Sequence, residues 1–298
     1  MSADTSVHEV LEKCNVFKAA GLWLPEPAMR PRAWIKNFEE DDQKIAAFLL
    51  DKFTFYNKSL TQKLLIASYD SLGDGMPKGG DSEVASVIKS LDSAILTPVN
   101  GERPNPADSG NLLCRMARQS LKLDDAIHIL NTEKAIEHAS KGGTVLFIDD
   151  FVGSGDQFLS TWKTPNKQGV SFQILAAKKT FTAIYVTLIA TDFGMKKIYG
   201  DAPEVLVCTA HVLEKKSTIE GVMEDSPEMK IFIHSFLDKY SQRLTPRENY
   251  IANNPSYLMY GYKKRGLLFG FEHSMPDATL PIFWSPGKNN WEPLIERS

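Results

Sequence analysis

The chain has 298 residues, of which 43% are hydrophobic and 24% are charged, and its formal net charge at pH 7 is −3. These values are typical of a globular protein that buries its own core in one large domain or two small ones. Because acidic and basic residues are mixed along the chain, the charge does not indicate direct nucleic-acid binding or an anionic-membrane surface.

The three cysteines indicate neither a zinc site nor a disulfide framework, because they lie far apart and form no CxxC pair; they are Cys14, Cys114 and Cys208. A reducing cytoplasm fits this usage best. The N-terminal stretch is acidic and lacks an apolar run, so we expect no signal peptide. The longest apolar run, Thr182–Ala190, is about half of what a bilayer helix needs, so we expect no membrane segment.

Residues 1–80 are predicted to form an N-terminal arm and a helical extension. Prolines at 25, 27 and 31 favour an irregular or partly helical arm. Apolar residues at helical spacing then predict two amphipathic helices, from Trp34 to Leu50 and from Leu60 to Leu72. The turn-rich stretch at 73–82 is the candidate boundary to the core domain.

Residues 81–215 are predicted to form an α/β core. A short helix at Ser82–Leu91 precedes the first core strand at Ser93–Val99, an eleven-residue loop at 100–110 and a helix at Asn111–Leu121. Further predicted elements are a strand at Ala126–Leu130, a helix at Thr132–Ser140, a strand from Thr144, a strand at Phe181–Ala190, a short helix at Asp192–Tyr199 and a strand at Glu204–Thr209. This alternation predicts a parallel sheet with right-handed crossovers.

Residues 216–298 are predicted to form a C-terminal helix and an aromatic-rich cap packed on the core. Ser226 and Pro227 begin a helix that runs to Gln242, and Leu267–Phe271 reads as a short strand. The aromatic residues favour either a lid over the sheet edge or a satellite core, and the satellite core is preferred for Trp284 and Trp291.

The stretch Thr144–Gln157 carries the strongest functional pattern. A buried strand at Thr144–Ile148 ends in Asp149 and Asp150, and a Gly-Ser-Gly turn at 153–155 leads into a helix. Backbone N–H groups of such a turn, together with the positive end of the helix, form a cradle for a phosphate. Since carboxylates cannot bind the phosphate, they need hydroxyl groups on the same ligand, which a sugar provides.

Other interpretations of this stretch stay open. A Walker-B-like strand also ends in acids, but the chain has no G-x-x-x-x-G-K-[ST] motif. A receiver-type acid pair usually lies near the start of a domain. A structural strand-turn-helix without a ligand is the third alternative.

The same stretch resembles the phosphoribosyl-diphosphate signature of type I phosphoribosyltransferases. The resemblance implies that Asp149 and Asp150 hold the ribose 2- and 3-hydroxyls. It implies that the 5-phosphate lies against a loop formed by Val152, Gly153, Ser154, Gly155, Asp156 and Gln157. Ser154 and Gln157 stand where threonine is usual, and both can donate to a phosphate. Mg²⁺ is expected to arrive with the substrate, with no metal ligand directly from the protein.

Two connections bear on catalysis within this resemblance. The loop after the first core strand is the family's pyrophosphate-binding position, which makes Arg103, Ser109, Gly110 and Asn111 candidate ligands. A long surface loop with a solvated Arg103 is the equal alternative. Catalytic members carry a long mobile loop where this chain has the short stretch 131–143, so either another segment closes the site or transfer chemistry is absent.

A narrower resemblance covers most of the chain. The Trp34-to-Leu50 pattern, the form IDDFVGSGDQ and the closing G-F-x-H-x-x-P-x-x-T-L-P-I-F-W segment resemble the phosphoribosyltransferase-like (PRTase-CE) branch of bacterial conflict systems, including those that accompany retron reverse transcriptases. This resemblance implies a toxin-like effector of antiphage defence, partnered by a reverse transcriptase, a small DNA-binding protein or others.

The leading hypothesis is therefore a protein that binds phosphoribosyl diphosphate or a related nucleotide and acts at the ribose C1. It would be a phosphoribosyltransferase or an enzyme that cleaves an N-glycosidic bond, and positive charge would develop on the sugar. The alternative is a non-catalytic nucleotide-sensing or scaffolding subunit that regulates a partner protein or nucleic acid. Acids inside a packed interior, or turn amides already bonded within the protein, would count against the nucleotide site.

Overall fold

The computed structural model describes residues 6–73, 91, 94–101, 109–121, 128–224, 227–246 and 253–297. Within these ranges no helix combines the length and the apolar character needed to cross a bilayer. Residues 82–90 of the helix predicted at Ser82–Leu91 and residues 74–82 of the linker predicted at 73–82 lie outside the described residues. Arg103 and the predicted helix start at Ser226 also lie outside them.

The helices of the described ranges are mostly short. In chain order they are α1 (Val7–Ala19), α2 (Pro31–Ile35), α3 (Gln43–Lys52), α4 (Lys58–Asp70), α5 (Ser109–Ser120), α6 (Thr132–Ser140), α7 (Asp156–Lys163), α8 (Phe172–Ala177), α9 (Asp192–Asp201), α10 (Ile219–Glu224), α11 (Pro227–Ser241) and α12 (Pro255–Tyr260). Short 3₁₀ turns include Glu40–Asp42 and Pro281–Phe283.

Within the described residues, six strands form two parallel sheets. The strands are β1 (Thr54–Tyr56), β2 (Ile95–Pro98), β3 (Thr144–Val152), β4 (Thr182–Thr191), β5 (Val205–Leu213) and β6 (Phe269–Phe271). One sheet has the order β2-β3-β4-β5, and β1 pairs with β6 in the other. The α/β class with a parallel sheet, predicted from the alternation of elements, is confirmed.

The chain divides into two compact units. One comprises residues 60–213 and holds the four-stranded sheet, and the other combines residues 1–59 with residues 214–298. The division into segments 1–80, 81–215 and 216–298 remains a prediction.

The unit of residues 60–213 is built on an aromatic core beneath the sheet. Phe147 of β3 makes edge contacts with Phe158 of α7 and with Phe172 of α8, at ring-centroid distances of 5.4 and 4.8 Å. Val145, Leu146, Phe147 and Ile148 are essentially inaccessible to solvent. A central parallel strand is covered on both faces, so its sequence is continuously apolar rather than alternating.

The other unit has a second aromatic core. Trp34 stacks on Phe283 at 5.2 Å, and its indole N–H donates to the Ile282 carbonyl at 2.7 Å. Trp284 and Trp291 are buried in the same cluster, as the satellite-core interpretation expects. Strands β1 and β6 pair in the register Thr54 with Phe269.

Several element boundaries differ from the sequence-based ones. The pattern from Trp34 to Leu50 is split between α2 and α3, because the intervening turn brings Phe38 into the same core as Trp34, at 4.9 Å between rings. The strand predicted at 126–130 is seen in its described part as a single bridge at Ile129. Helix α5 begins at Ser109, two residues before its predicted start.

Candidate functional site

The strand order of the larger sheet places a switch point between β2 and β3. Ile129 bridges Leu96 of β2 in parallel, and the Leu130 N–H donates to the Leu96 carbonyl at 2.8 Å. Strand β3 pairs with the other edge of β2, so the two segments that follow β2 in the chain, at Ile129 and in β3, lie on opposite sides of it. Open α/β sheets bind ligands in the crevice at such a point, beyond the carboxyl ends of the strands.

The acid pair lies inside β3 rather than after it. The strand was predicted to end at Ile148, but it continues to Val152, and Asp149 pairs with Thr187 of β4 in the register. Val152, predicted to open the phosphate loop, is therefore the last residue of the strand. The extended ladder with β4 explains the difference, since a neighbouring strand of ten residues offers partners beyond the apolar run.

Asp149 is buried, and its carboxylate is bonded within the protein. Its side chain is 6% exposed; Oδ2 accepts from the Tyr185 hydroxyl at 2.8 Å, and Oδ1 accepts from the Asp150 backbone N–H at 2.9 Å. Burial, followed by the charge of Asp150, raises the pKa of Asp149 well above its ordinary value. Asp149 thus lies inside the packed interior with both oxygens bonded, which counts against it as a ligand for a sugar hydroxyl.

Tyr185 was not identified from the sequence as a site residue. Its ring stacks on Phe158 at 4.2 Å with an interplanar angle of 11°. Burial and the neighbouring Asp149 raise the pKa of Tyr185 well above its ordinary value, so the hydroxyl keeps its proton and remains a donor. Tyr185 thus holds the orientation of Asp149 from the adjacent strand.

The second acid, Asp150, is 8% exposed and follows Asp149 directly. The charge of Asp150 opposes ionisation of Asp149 and adds to the effect of burial on the Asp149 pKa. A hydroxyl donor or a hard cation would relieve that repulsion.

The Gly153–Gly155 turn has the geometry of an anion cradle. Gly155 adopts a left-handed conformation, with φ of 78°, and serves as the N-cap of α7. Within the described part of the chain, the backbone N–H groups of Gly153, Ser154, Gly155 and Gln157 donate no hydrogen bond to a protein acceptor. Unpaired amides at the start of a helix suit an anion.

The Ser154 hydroxyl already has a partner. It donates to Oδ2 of Asp156 at 2.7 Å, and Ser154 is 7% exposed. The other carboxylate oxygen of Asp156, Oδ1, accepts from the Lys197 ammonium of α9. For Ser154 to bind a phosphate, its hydroxyl must turn away from Asp156.

The N-terminal end of helix α9 contacts the Gly153–Gly155 turn. The Thr191 hydroxyl donates to the Gly153 carbonyl and accepts from the Gly194 N–H at 2.9 Å. A Cβ on Gly194 would lie 2.7 Å from the Gly153 carbonyl oxygen, so only glycine permits this approach. Sequence reasoning missed these residues; the available signal was a threonine directly before an acidic helix start.

The candidate pyrophosphate segment lies at the same edge of the sheet. Ser109 and Gly110 form the first turn of α5. A Cβ on Gly110 would lie 2.9 Å from the Cβ of Pro98 and 3.6 Å from the Ile148 carbonyl oxygen. This close approach brings Ser109, Gly110 and Asn111 to the ends of β2 and β3, and their role as ligands stays a prediction.

The connection from Ile129 to β3 is helical. Helix α6 fills residues 132–140, and the Asn131 side chain caps it by accepting from the Lys134 N–H at 3.0 Å. The helix predicted there is confirmed.

The described residues contain no group of three or more His, Cys, Asp or Glu side chains placed to hold a metal ion. Mg²⁺ usually keeps several water ligands and is bound largely through substrate phosphates, so it needs no such group of protein ligands. The residues therefore fit a magnesium ion that arrives with its ligand.

Comparison with known proteins identifies the family. The family model PRTase-CE matches residues 31–297. A comparison with curated proteins finds no match. Among solved structures, "Structure of AQ2163 protein from Aquifex aeolicus" matches with 14% identity over 64% of this chain and 86% of that chain, at a TM-score of 0.30, which is too low to support an argument. Since the family model spans most of its length, the chain belongs to the phosphoribosyltransferase-like PRTase-CE family.

Proposed function

We propose that this protein binds phosphoribosyl diphosphate or a related nucleotide at the carboxyl ends of β2 and β3, and acts at the ribose C1. The observation that carries the proposal is the set of backbone N–H groups at Gly153, Ser154, Gly155 and Gln157, which have no acceptor among the described residues. They lie at the start of α7, where a 5-phosphate would complete their hydrogen bonds.

The acid pair supports a sugar as the rest of the ligand. Asp149 and Asp150 are both more than nine-tenths buried, and their ionised forms repel each other. Ribose hydroxyls would donate to this pair. As the bond at C1 breaks, the Asp150 carboxylate would stabilise the positive charge on the sugar, and Asp149 would orient it from within the sheet.

Magnesium and the segment at 109–111 complete the proposal. Mg²⁺ would arrive with the substrate and would supply Lewis-acid assistance to the leaving group. Ser109, Gly110 and Asn111, together with Arg103, would bind the pyrophosphate of that substrate.

The test is titration calorimetry with phosphoribosyl diphosphate in the presence of Mg²⁺. We expect Asp150→Asn to weaken binding at least tenfold, because it removes a charged acceptor for the ribose hydroxyls. Asp201→Asn is the matched control: it makes the same chemical change in an exposed ion pair of the same unit, and affinity should stay unchanged. Absence of binding by the wild-type protein, with or without Mg²⁺, would refute the proposal.

A nucleotide sensor is the second candidate, and helix α6 favours it. The residues where catalytic relatives of the type I family carry a long mobile loop are occupied here by a capped helix. Mass spectrometry of the incubated ligand separates the two candidates. A new product indicates catalysis at C1, whereas an unchanged bound ligand indicates a sensor.

The biological role that we propose is an effector of a retron-type antiphage system, partnered by a reverse transcriptase or a small DNA-binding protein. It rests on the resemblance of three sequence segments to that branch. Phage protection by the complete system, compared between Asp150→Asn and Asp201→Asn, tests this role. Equal protection by both variants would show that the site is not needed for defence.

A further inference from the structure

Asp156 places a negative charge beside the turn that would hold a phosphate. It is the first residue of α7, directly after Gly155, and its carboxylate accepts from the Ser154 hydroxyl at 2.7 Å. A carboxylate next to the amides of an anion cradle would repel a phosphate dianion. The cradle therefore needs a compensating positive charge.

Lys197 supplies that charge from a different helix. Its ammonium forms an ion pair with Asp156, and the two side chains are 36% and 34% exposed. The position of α9 follows from the contacts of Thr191 and Gly194 with the Gly153 carbonyl. The same contacts that shape the turn therefore also bring Lys197 to Asp156.

We propose that Lys197 is a positioning and specificity residue of the phosphate cradle. It neutralises Asp156 so that the turn accepts a phosphate dianion, and it holds the Asp156 carboxylate while the Ser154 hydroxyl turns toward the ligand. This inference rests on the proposed binding of a sugar phosphate at residues 153–157. It names a residue that acts through Asp156 rather than by contact with the ligand.

The chain offers a matched control for this ion pair. Lys163 and Asp201 form a second ion pair between the same two helices, α7 and α9, at 2.6 Å. Lys163 is the last residue of α7, at the end of the helix away from the turn. Loss of that pair changes the same kind of interaction without changing the charge at the cradle.

The experiment measures ribose 5-phosphate and phosphoribosyl diphosphate binding by calorimetry in a double-mutant cycle that removes the two charges of this ion pair. Lys197→Met should weaken binding of both ligands about tenfold, because the Asp156 carboxylate beside the phosphate then loses the positive charge of Lys197. The double variant Lys197→Met with Asp156→Asn should restore affinity to within about threefold of wild type. Lys163→Met should bind like wild type. The weakening by Lys197→Met should also shrink at high salt, which screens a partly exposed charge.

The outcomes separate this inference from the proposed function. If the wild-type protein binds neither ligand, the proposed function fails, and this inference fails with it. If wild type binds and Lys197→Met binds equally well, only the role of Lys197 is refuted. If the double variant stays as weak as Lys197→Met, charge neutralisation is refuted, because Lys197 then contacts the ligand itself. If Lys197→Met has a lower melting temperature than the wild type, Lys197→Arg, which keeps the charge, is measured as well. Lys197→Arg should bind the ligands within threefold of the wild-type affinity, and a tenfold loss of affinity would overturn the inference.

Discussion

Replacement of Gly194 by alanine tests the contact between α9 and the phosphate turn. A Cβ at this position would lie 2.7 Å from the Gly153 carbonyl oxygen and 2.8 Å from Cγ1 of Val152. Gly200, in the same helix, has nothing within 4 Å of the corresponding position. The two substitutions are chemically identical and share one helix, so their difference isolates the steric cost.

The expected magnitudes follow from two opposing terms. In an open helical position, glycine-to-alanine replacement stabilises by about 0.5–1 kcal/mol, because alanine has less backbone entropy to lose. Overpacking against a backbone carbonyl costs about 1–3 kcal/mol. Gly200→Ala should therefore raise the free energy of unfolding, and Gly194→Ala should fall below Gly200→Ala by about 1–3 kcal/mol.

Thermal melting and ligand binding together provide the assay. A difference of 1 kcal/mol shifts the melting temperature by about 2–4 °C for a unit of this size. Because relief of the overlap moves the Gly153 carbonyl, Gly194→Ala should also weaken ribose 5-phosphate binding, whereas Gly200→Ala should not. A Gly194→Ala protein that melts at or above Gly200→Ala would refute the proposed contact.

Three further predictions concern the surroundings of the site. Thr191→Ala should lower stability by about 1 kcal/mol through the lost N-cap and should also weaken phosphate binding. The control Ser171→Ala, which removes the N-cap of α8, should lower stability alone. Thermal melting measures stability and calorimetry measures binding, and equal binding by both variants would contradict the role of Thr191. The pKa of Asp149 is higher in the folded than in the unfolded protein, so the stability that this carboxyl group contributes is present below the unfolded pKa and is lost as the pH rises toward the folded pKa. Asp149→Asn should therefore gain stability relative to wild type as the pH rises above about 4, measured by urea unfolding. A difference that does not depend on pH would contradict a buried carboxyl group. Burial raises the pKa of the thiols of Cys14, Cys114 and Cys208, to about 11 in Cys14 and about 12 in Cys208. A thiol reagent at neutral pH should therefore label the native protein far more slowly than the unfolded protein. Rapid labelling of the native protein would contradict the burial of these thiols.

Local sequence patterns predicted the centre of the sheet well. The apolar run before Asp149 identified β3, and glycines at 153 and 155 identified the turn, because both depend on adjacent residues. The alternation of strands and helices likewise predicted the parallel sheet. These features depend on interactions within a few positions of the chain.

Contacts between distant residues could not be predicted in the same way. Tyr185 bonds Asp149 from 36 positions away, and Thr191 reaches Gly153 from 38 positions away. The inward orientation of Asp149 and the support behind the turn both depend on the neighbouring β4–α9 segment. The register of adjacent strands, which a single sequence does not reveal, decides which side chains meet.

The pairing of β1 with β6 affects how the protein must assemble during translation. Thr54 lies beside Phe269, so more than 200 intervening residues are synthesised before this small sheet has both of its strands. The segment 60–213 emerges from the ribosome complete in the meantime, and long-range pairings form slowly in any case. We therefore expect early-emerging residues such as Phe55 to need shielding from aggregation until their later partners appear.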